Sequence, residues 1–243
     1  MKLSGADIIV RTLIEQGCET VFGYPGGQIL NVYDSLYKYQ NEITHILTAH
    51  EQGAAHAADG YARTTGRVGV VISTSGPGAT NLVTGIATAY LDSIPMVAIC
   101  GNVPTTQIGS DSFQEIDITG VTLPITKHNY FVGEVENLAD TIREAFVLAK
   151  SGRPGPVLID VPKDVQIAAC EYEPKPPAEK EKSHAAKDMR IEEAAKLINS
   201  SERPFIYFGG GLITADAQEE MLALAEKIDA PVGCSLMGLS AIP

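Results

Sequence analysis

The feature of this sequence that most restricts its fold is a series of short, unbroken apolar runs separated by helical patterns. Residues 68–72 read Val-Gly-Val-Val-Ile and residues 96–100 read Met-Val-Ala-Ile-Cys, without polar residues at alternate positions. A strand with one solvated face alternates, whereas a strand covered by helices on both faces does not. Buried strands that alternate with helices therefore predict an α/β fold with a doubly wound parallel sheet.

The same pattern gives the first domain its predicted elements. The strands are expected at 19–23, 43–47, 68–74, 96–100 and 157–161, and the helices at 5–16, 28–39, 51–64, 80–91 and 137–151. Ser4 is a suitable N-cap for the first helix, and Gly17 follows its end. We expect this domain to span residues 1–165.

A change in composition follows the first domain. Residues 171–188 contain three prolines among dense mixed charges, which predicts a solvated linker over 166–188. A second α/β pattern then begins, with helices at 190–200 and 215–228 and strands at 205–208 and 231–235. Because about 55 residues are too few for an open sheet of four or more strands, we interpret 189–243 as the start of a second domain.

Charge and cysteine content exclude several classes of protein. Thirty acidic side chains against eighteen basic ones give a formal net charge of −12, which argues against a nucleic-acid surface. The four cysteines form no CxxC pair, so neither a zinc cluster nor a disulfide framework is indicated. No apolar run approaches the roughly 20 residues of a membrane span, and residues 1–16 lack a signal-peptide core. We expect a cytoplasmic protein without nucleic-acid or membrane partners.

Glu51 has a structural and a functional interpretation. Thr48 and Glu51 fit a capping box, with Thr48 as N-cap and Glu51 at N3, and spacing alone favours this interpretation. The helix that follows is unusual because half of its residues are glycine or alanine. Such a helix lets another backbone or a flat ring come close, and suggests a subunit contact. A carboxylate at its head would be poorly hydrated and suited to acid–base chemistry.

Three loops that follow predicted strands are expected to lie at the same edge of the sheet as Glu51. They are residues 23–27, 75–81 and 112–115. In doubly wound sheets, ligands bind in the crevice at the carboxyl ends of the strands. Together with Glu51, these loops predict a binding cleft. Two other motifs are incomplete, since Ala54 replaces the second histidine of an HExxH zinc motif and Asn81 replaces the third glycine of GxGxxG.

These motifs resemble those of the acetolactate synthase (acetohydroxyacid synthase) large subunits, a family of thiamine-diphosphate enzymes. The strings that carry the resemblance are FGYPGG at 22–27, HEQGAAHAADGYAR at 50–63, SGPGATN at 75–81, FQE at 113–115, KHN at 127–129 and RPGPVLIDVPK at 153–163. They extend over nearly all of residues 1–165. Residues 236–239 resemble the central domain of the same family.

The resemblance implies that residues 1–165 bind the aminopyrimidine of thiamine diphosphate. Glu51 would be the catalytic glutamate, which hydrogen-bonds to the pyrimidine and helps the cofactor lose its thiazolium proton. The implied reaction is decarboxylation of pyruvate and carboligation to a second 2-keto acid, in branched-chain amino acid biosynthesis. The other thiamine-diphosphate contacts would come from Tyr24, Pro25, Pro77, Asn81 and Gln114, and Gln114 would also lie beside the substrate as a catalytic residue.

The resemblance also assigns substrate and flavin contacts. The backbone amide of Gly27 would stabilise a developing oxyanion. Phe113 would line the substrate site, and Lys163 would place a cation near the keto-acid carboxylate. A structural FAD would be held by Arg153 and by Gly209, Gly210 and Gly211.

Several features depart from the family or are absent. Gln28 stands where the family usually has a small apolar residue. The GDG motif that anchors Mg²⁺ and the diphosphate does not occur, so the Mg²⁺ site is expected outside this chain, which alone would be inactive. The family implies a homodimer or tetramer with an active site between subunits, and a possible regulatory small subunit.

Other functions stay open at this point. Pyruvate oxidase and sulfoacetaldehyde acetyltransferase are related thiamine-diphosphate enzymes, although Phe113, Gln114 and Lys163 favour acetolactate synthase over the oxidase. Glyoxylate carboligase has an apolar residue in place of the glutamate, so Glu51 argues against it. A non-catalytic partner module that keeps the fold is the alternative from a different class.

Overall fold

The computed structural model describes residues 1–177 and 188–242. Residues 178–187 of the predicted linker, and Pro243, lie outside the described residues. The chain divides into two compact units, residues 1–181 and 182–243, which are described separately.

The first unit contains a parallel sheet and a small antiparallel pair. Its strands are β1 (Lys2–Ser4), β2 (Thr20–Gly23), β3 (Thr44–Leu47), β4 (Gly69–Ser73), β5 (Met96–Asn102), β6 (His128–Phe131), β7 (Pro156–Pro162) and β8 (Ala169–Glu171). Six of them form one sheet in the order β3-β2-β4-β5-β7-β6, with every neighbouring pair parallel. The predicted doubly wound parallel sheet is therefore confirmed, with β6 as an additional edge strand.

Helices cover both faces of this sheet. They are α1 (Gly5–Glu15), α2 (Leu30–Lys38), α3 (Glu51–Thr65), α4 (Pro77–Thr80), α5 (Val83–Leu91), α6 (Ile118–Thr122), α7 (Leu138–Lys150) and α8 (Lys163–Ile167). Val70 and Ile72 of β4 pack in one core with α1, α2 and α7, whereas Val71 packs in the other with α3 and α5. Both faces of the strand are thus dry, which explains its unbroken apolar sequence.

The antiparallel pair joins the two ends of the first unit. Lys2 of β1 lies opposite Glu171 of β8, and the amino group of Met1 donates a hydrogen bond to the Tyr172 carbonyl at 2.9 Å. The Tyr172 side chain is buried against the sheet-covering helices. Residues 169–172 therefore pack as part of the first unit, although they fall within the segment that the sequence assigns to the linker.

The second unit is smaller and more exposed. It contains α9 (Asp188–Asn199), β9 (Ile206–Phe208), α10 (Gly210–Ala215), α11 (Gln218–Lys227) and β10 (Val232–Cys234). Its two strands pair in parallel. Leu197, Tyr207 and Leu236 are exposed by 68% or more, so these apolar side chains have little cover within the described residues. No helix in the described part of the chain has the length and apolar character needed to span a bilayer.

Candidate active site

The candidate site lies where the strand order of the sheet reverses. From β2 the chain goes first to β3 on one side and then to β4 on the other. The loops after β2 and β4 therefore flank the point at which doubly wound sheets bind ligands. They are joined directly, because the Gln28 N–H donates to Thr74 Oγ1 at 3.1 Å. Gly26 packs so closely on Thr74 that an added Cβ would come within 2.4 Å of Thr74 Cγ2.

Helix α3 begins at Glu51, and the capping-box interpretation of this residue is wrong. His50 is the N-cap, and its Nδ1 accepts a hydrogen bond from the Gln52 N–H at 3.1 Å. Thr48 lies two residues before the cap and donates its hydroxyl to the carbonyl of His50 at 3.0 Å. Because Glu51 is the first helical residue, its carboxylate is not used for capping. Its Oε2 instead accepts a hydrogen bond from Asn81 Nδ2 at 2.9 Å.

The surroundings of the Glu51 carboxylate are dry and narrow. Glu51 is 8% exposed, although its side chain is polar. A Cβ added to Gly78 would lie 3.2 Å from Glu51 Oε1 and 2.6 Å from Thr74 Cγ2, so the loop after β4 comes close only because it has glycine there. Burial raises the pKa of the nearby Tyr33, and the negative charge of Glu51 adds to that rise. The carboxylate is thus held in a poorly hydrated crevice by α3 and the loop after β4.

A second loop approaches the same crevice at Gln114. Gly76 has a φ of +55°, and a Cβ there would lie 2.6 Å from the Gln114 carbonyl oxygen. Gln114 itself has a φ of +61°, a backbone conformation that is uncommon outside glycine and often found at functional sites. The Glu115 carboxylate holds this turn by accepting hydrogen bonds from the backbone of Gly109 and Ser112, which lower the pKa of Glu115.

The loops carry exposed side chains at this edge of the sheet. Phe113, beside Gln114, is 82% exposed, and Tyr24 in the loop after β2 is 41% exposed. Pro25 is half-buried, and Pro77 is exposed at the start of α4. Gly27 and Lys163 are in direct contact, since Lys163 Nζ donates to the Gly27 carbonyl at 3.0 Å.

Arg153, one of the residues that the resemblance assigns to FAD, lies apart from this cluster. Arg153 precedes β7 and donates to Ser93 Oγ at 2.6 Å and to the Leu91 carbonyl at 3.0 Å. These groups lie at the amino ends of β5 and β7, which is the opposite edge of the sheet. Gly209, Gly210 and Gly211 belong to the second unit, where Gly209 follows β9 and Gly210 and Gly211 begin α10.

Sequence reasoning missed two polar residues that shape the site, Thr74 and Gln166, and a buried carboxyl group at the same edge of the sheet, Asp160. Thr74 directly follows a buried strand, which is a usable signal. Asp160 is 3% exposed near the carboxyl end of β7, and burial raises its pKa to about 7. Gln166 is fully buried in α8 and donates to the Gln28 carbonyl at 2.8 Å. Nothing in the local sequence marks Gln166, because its segment reads as the beginning of the linker.

Comparison with known proteins identifies the class to which this fold and site belong. Residues 3–121 match the family model described as thiamine pyrophosphate enzyme, N-terminal TPP binding domain. Residues 191–243 match the model described as thiamine pyrophosphate enzyme, central domain. The chain belongs to the thiamine pyrophosphate enzyme family.

Within this family, the chain is similar along its whole length to acetolactate synthase large subunits, which confirms the resemblance. It is 52% identical to the probable acetolactate synthase large subunit of Methanocaldococcus jannaschii, covering 99% of this chain and 42% of that protein. It is 52% identical to the Corynebacterium glutamicum large subunit, covering 100% of this chain and 39% of that protein. It is 45% identical to the Escherichia coli acetolactate synthase isozyme 3 large subunit, covering 99% of this chain and 43% of that protein. The chain thus spans about two fifths of the length of these relatives.

Proposed function

We propose that this chain is the part of an acetolactate synthase that binds the pyrimidine of thiamine diphosphate. The complete enzyme would decarboxylate pyruvate and join the remaining two-carbon unit to a second 2-keto acid, in branched-chain amino acid biosynthesis. The names of the relatives support this proposal. In it, residues 1–165 are the pyrimidine-binding domain, 166–188 the linker, and 189–243 the start of the central domain.

The observation that carries the proposal is the buried Glu51 carboxylate beside a glycine-lined loop. A flat heterocycle needs a narrow crevice, and Gly76 and Gly78 allow one here, because without a Cβ the loop after β4 can pack directly against Gln114 and the Glu51 carboxylate. Its ring nitrogen needs a carboxyl partner in a dry place, which Glu51 provides. The residues present therefore fit thiamine diphosphate, which when bound supplies an electron sink for breaking and forming carbon–carbon bonds next to a carbonyl.

Each residue of the cluster has a role in this proposal. Glu51 would hold a proton at the pyrimidine, while Asn81 fixes one carboxylate oxygen and so the direction of the other. The Gly27 N–H would face negative charge that develops on the substrate. Lys163 would attract the substrate carboxylate, and Phe113 would line the substrate site. The remaining cofactor contacts would be Tyr24, Pro25, Pro77 and Gln114.

The proposal also includes a metal ion, a second cofactor and further subunits. The described residues contain no group of three or more His, Cys, Asp or Glu side chains that could hold a metal ion. Because the sequence has no GDG motif, our proposal places the Mg²⁺ site outside this chain, and we expect the chain alone to be inactive. FAD would use Arg153 and Gly209 to Gly211. The proposed assembly is a cytoplasmic homodimer or tetramer with active sites between subunits, and a regulatory small subunit.

The test is the Glu51→Gln variant of the full-length protein, assayed with pyruvate, thiamine diphosphate, Mg²⁺ and FAD. Glutamine keeps the shape of the side chain but cannot exchange a proton, so we expect acetolactate formation to fall by about 10²–10⁴-fold. Glu219→Gln is the control, because Glu219 is an exposed glutamate in the first turn of α11. Near-normal turnover in the Glu51 variant would contradict the proposal. Acetyl phosphate or hydrogen peroxide as product would indicate one of the related enzymes. If the wild-type protein shows no turnover, the non-catalytic module is indicated.

A further inference from the structure

Gln166 is a fully buried amide for which the proposed function has no role so far. Its Nε2 donates to two carbonyl oxygens, that of Gln28 at 2.8 Å and that of Val161 in β7 at 2.9 Å. Because both partners are acceptors, a rotated amide would place its own oxygen against two oxygens. The orientation of the side chain is therefore fixed. Gln166 ties the turn after β2 to the end of β7.

The same turn is held at two neighbouring points. The Gln28 N–H donates to Thr74 Oγ1 at 3.1 Å, and Lys163 Nζ donates to the Gly27 carbonyl at 3.0 Å. The peptide group between Gly27 and Gln28 is thus bonded at both its donor and its acceptor. Gly101 lies so close to the Gln28 carbonyl that an added Cβ would approach the oxygen to 2.2 Å. The turn has little freedom to rotate.

These contacts leave one backbone donor of the turn with a defined direction. The Gly26 carbonyl accepts a hydrogen bond from the Ile29 N–H at 3.0 Å. The Gly27 N–H belongs to the same peptide group, and because that peptide is trans, the N–H points away from the direction of the carbonyl. Within the described residues, the Gly27 N–H has no hydrogen-bond acceptor. A Cβ at Gly27 would meet nothing within 4 Å, so the turn is open at this residue. An aligned donor on an open side is what stabilises charge that develops during a reaction.

We propose that Gln166 is a positioning residue, which together with Thr74 fixes the turn so that the Gly27 N–H is aimed before the substrate arrives. The inference rests on the proposed function, because it requires negative charge to develop near Gly27. Gln166 has none of its surface exposed, so it would act on the reaction through the turn that it holds, by way of the Gln28 carbonyl. Its loss would misplace the donor and lower turnover more than substrate binding.

The first test compares Thr74→Val with Thr74→Ser in the full-length protein. Valine keeps the shape that packs on Gly26 but removes the acceptor for the Gln28 N–H, whereas serine keeps the hydroxyl. With pyruvate as substrate, we expect Thr74→Val to lower kcat by about 10- to 100-fold, with KM within about threefold of the wild type. Thr74→Ser is expected to keep most of the wild-type kcat.

The second test is Gln166→Leu, with Ile142→Val as the control for lost stability. Ile142 is buried in the core of α1, α2 and α7, away from the turn. We expect Gln166→Leu to lower kcat by about 10- to 100-fold, and Ile142→Val to leave kcat unchanged. The double variant Thr74→Val/Gln166→Leu is expected to lose less than the product of the single effects, because both changes release one turn.

Each outcome supports or overturns the inference. If Thr74→Val and Gln166→Leu lower the melting temperature but keep kcat within about twofold of the wild type, the two residues only stabilise the fold. If Gln166→Leu does not fold, the comparison of kcat between Thr74→Val and Thr74→Ser tests the inference by itself. A wild-type protein that forms no acetolactate from pyruvate would overturn the proposed function itself, which distinguishes that failure from the failure of this inference.

Discussion

Asp160 shows how a buried carboxyl group responds to its surroundings near the candidate site. Burial raises its pKa to about 7, the hydrogen bond from Asn102 Nδ2 at 2.7 Å opposes the rise, and the charge of Asp117 adds to it. Its Oδ1 has no hydrogen-bond partner within the described residues. The side chain is therefore partly protonated at neutral pH, and its ionisation costs free energy in the folded protein.

We expect Asp160→Asn to stabilise the protein at high pH. A carboxyl whose pKa is raised on folding binds more protons when folded between about pH 4 and pH 7, so stability falls as the pH rises through that range. Asparagine cannot ionise and avoids this loss. The melting temperature of the variant should exceed that of the wild type by more than about 5 °C at pH 8, and by much less at pH 4. Asp34→Asn, an exposed change on α2, is the control, and an equal gain at both pH values would contradict the prediction.

The individual residues of the site differ in how far the sequence could predict them. Glu51 and Asn81 lie in motifs next to strand ends, so their meeting followed from the rule that parallel strands end at one edge. The position of Glu51 within its helix did not follow, because His50 supplies the cap that Thr48 was expected to supply. Gln166 contacts Gln28 across 138 positions of sequence, and such a contact leaves no local pattern.

The glycines and alanines of helix α3 are explained by contacts within the chain. A Cβ added to Gly85 of α5 would lie 2.4 Å from the Cβ of Ala55, and one added to Gly69 of β4 would lie 2.2 Å from the Ala58 carbonyl. The inner face of α3 is thus small because α5 and β4 pack closely against it. Only the outer face, with Gly53 and Gly60, has open space where the proposed second subunit could approach.

We expect Gly85→Ala to destabilise the protein by about 1–3 kcal/mol, because the added methyl group would force α3 and α5 apart. The second change Ala55→Gly removes the opposing methyl group and should recover part of the loss. The free energy of unfolding in urea measures both effects. Gly133→Ala is the control, since its Cβ would meet no described atom closer than 3.5 Å. Equal losses at Gly85 and Gly133 would show that the helix contact is loose.

The strands of the sheet were predictable to different degrees. Those covered on both faces, such as β4 and β5, appear in the sequence as apolar runs because no position of the strand meets water. Strand β6 reads His-Asn-Tyr-Phe and lies at the edge, half in contact with solvent, so it has no such run. The pair of β1 and β8 has three residues in each strand and joins distant segments, which local patterns cannot reveal.

The first unit as a whole is closed by an ionic cluster around Glu15. Its carboxylate accepts hydrogen bonds from Arg143 Nε at 2.7 Å, from the Tyr172 hydroxyl at 2.8 Å and from the Lys175 N–H at 3.0 Å. Burial alone would raise the pKa of Glu15, but these hydrogen bonds outweigh it and lower the pKa to about 2. The cluster fixes α1, α7 and the segment that follows β8 to one another.

We expect Glu15→Gln to destabilise the protein by about 1–3 kcal/mol at pH 7. A carboxyl whose pKa is lowered on folding stabilises the fold above its unfolded pKa of about 4.3, and this contribution is lost as the pH falls towards 2. The difference between variant and wild type should therefore shrink between pH 7 and pH 3 in urea unfolding. Glu171→Gln, at an exposed glutamate of β8, should change stability by less than about 0.5 kcal/mol at both pH values. A difference that stays constant with pH would refute the ionic explanation.

The pairing of β1 with β8 brings the first and last strands of the first unit together, and the Met1 amino group bonds to the Tyr172 carbonyl. A domain whose terminal strands are adjacent can be inserted into a surface loop of another protein without separating the two ends of that loop. Its original ends can also be relinked by a few residues and the backbone reopened elsewhere, giving a circular permutant with the same sheet. This geometry suits the unit to domain insertion and to recombination among multidomain proteins.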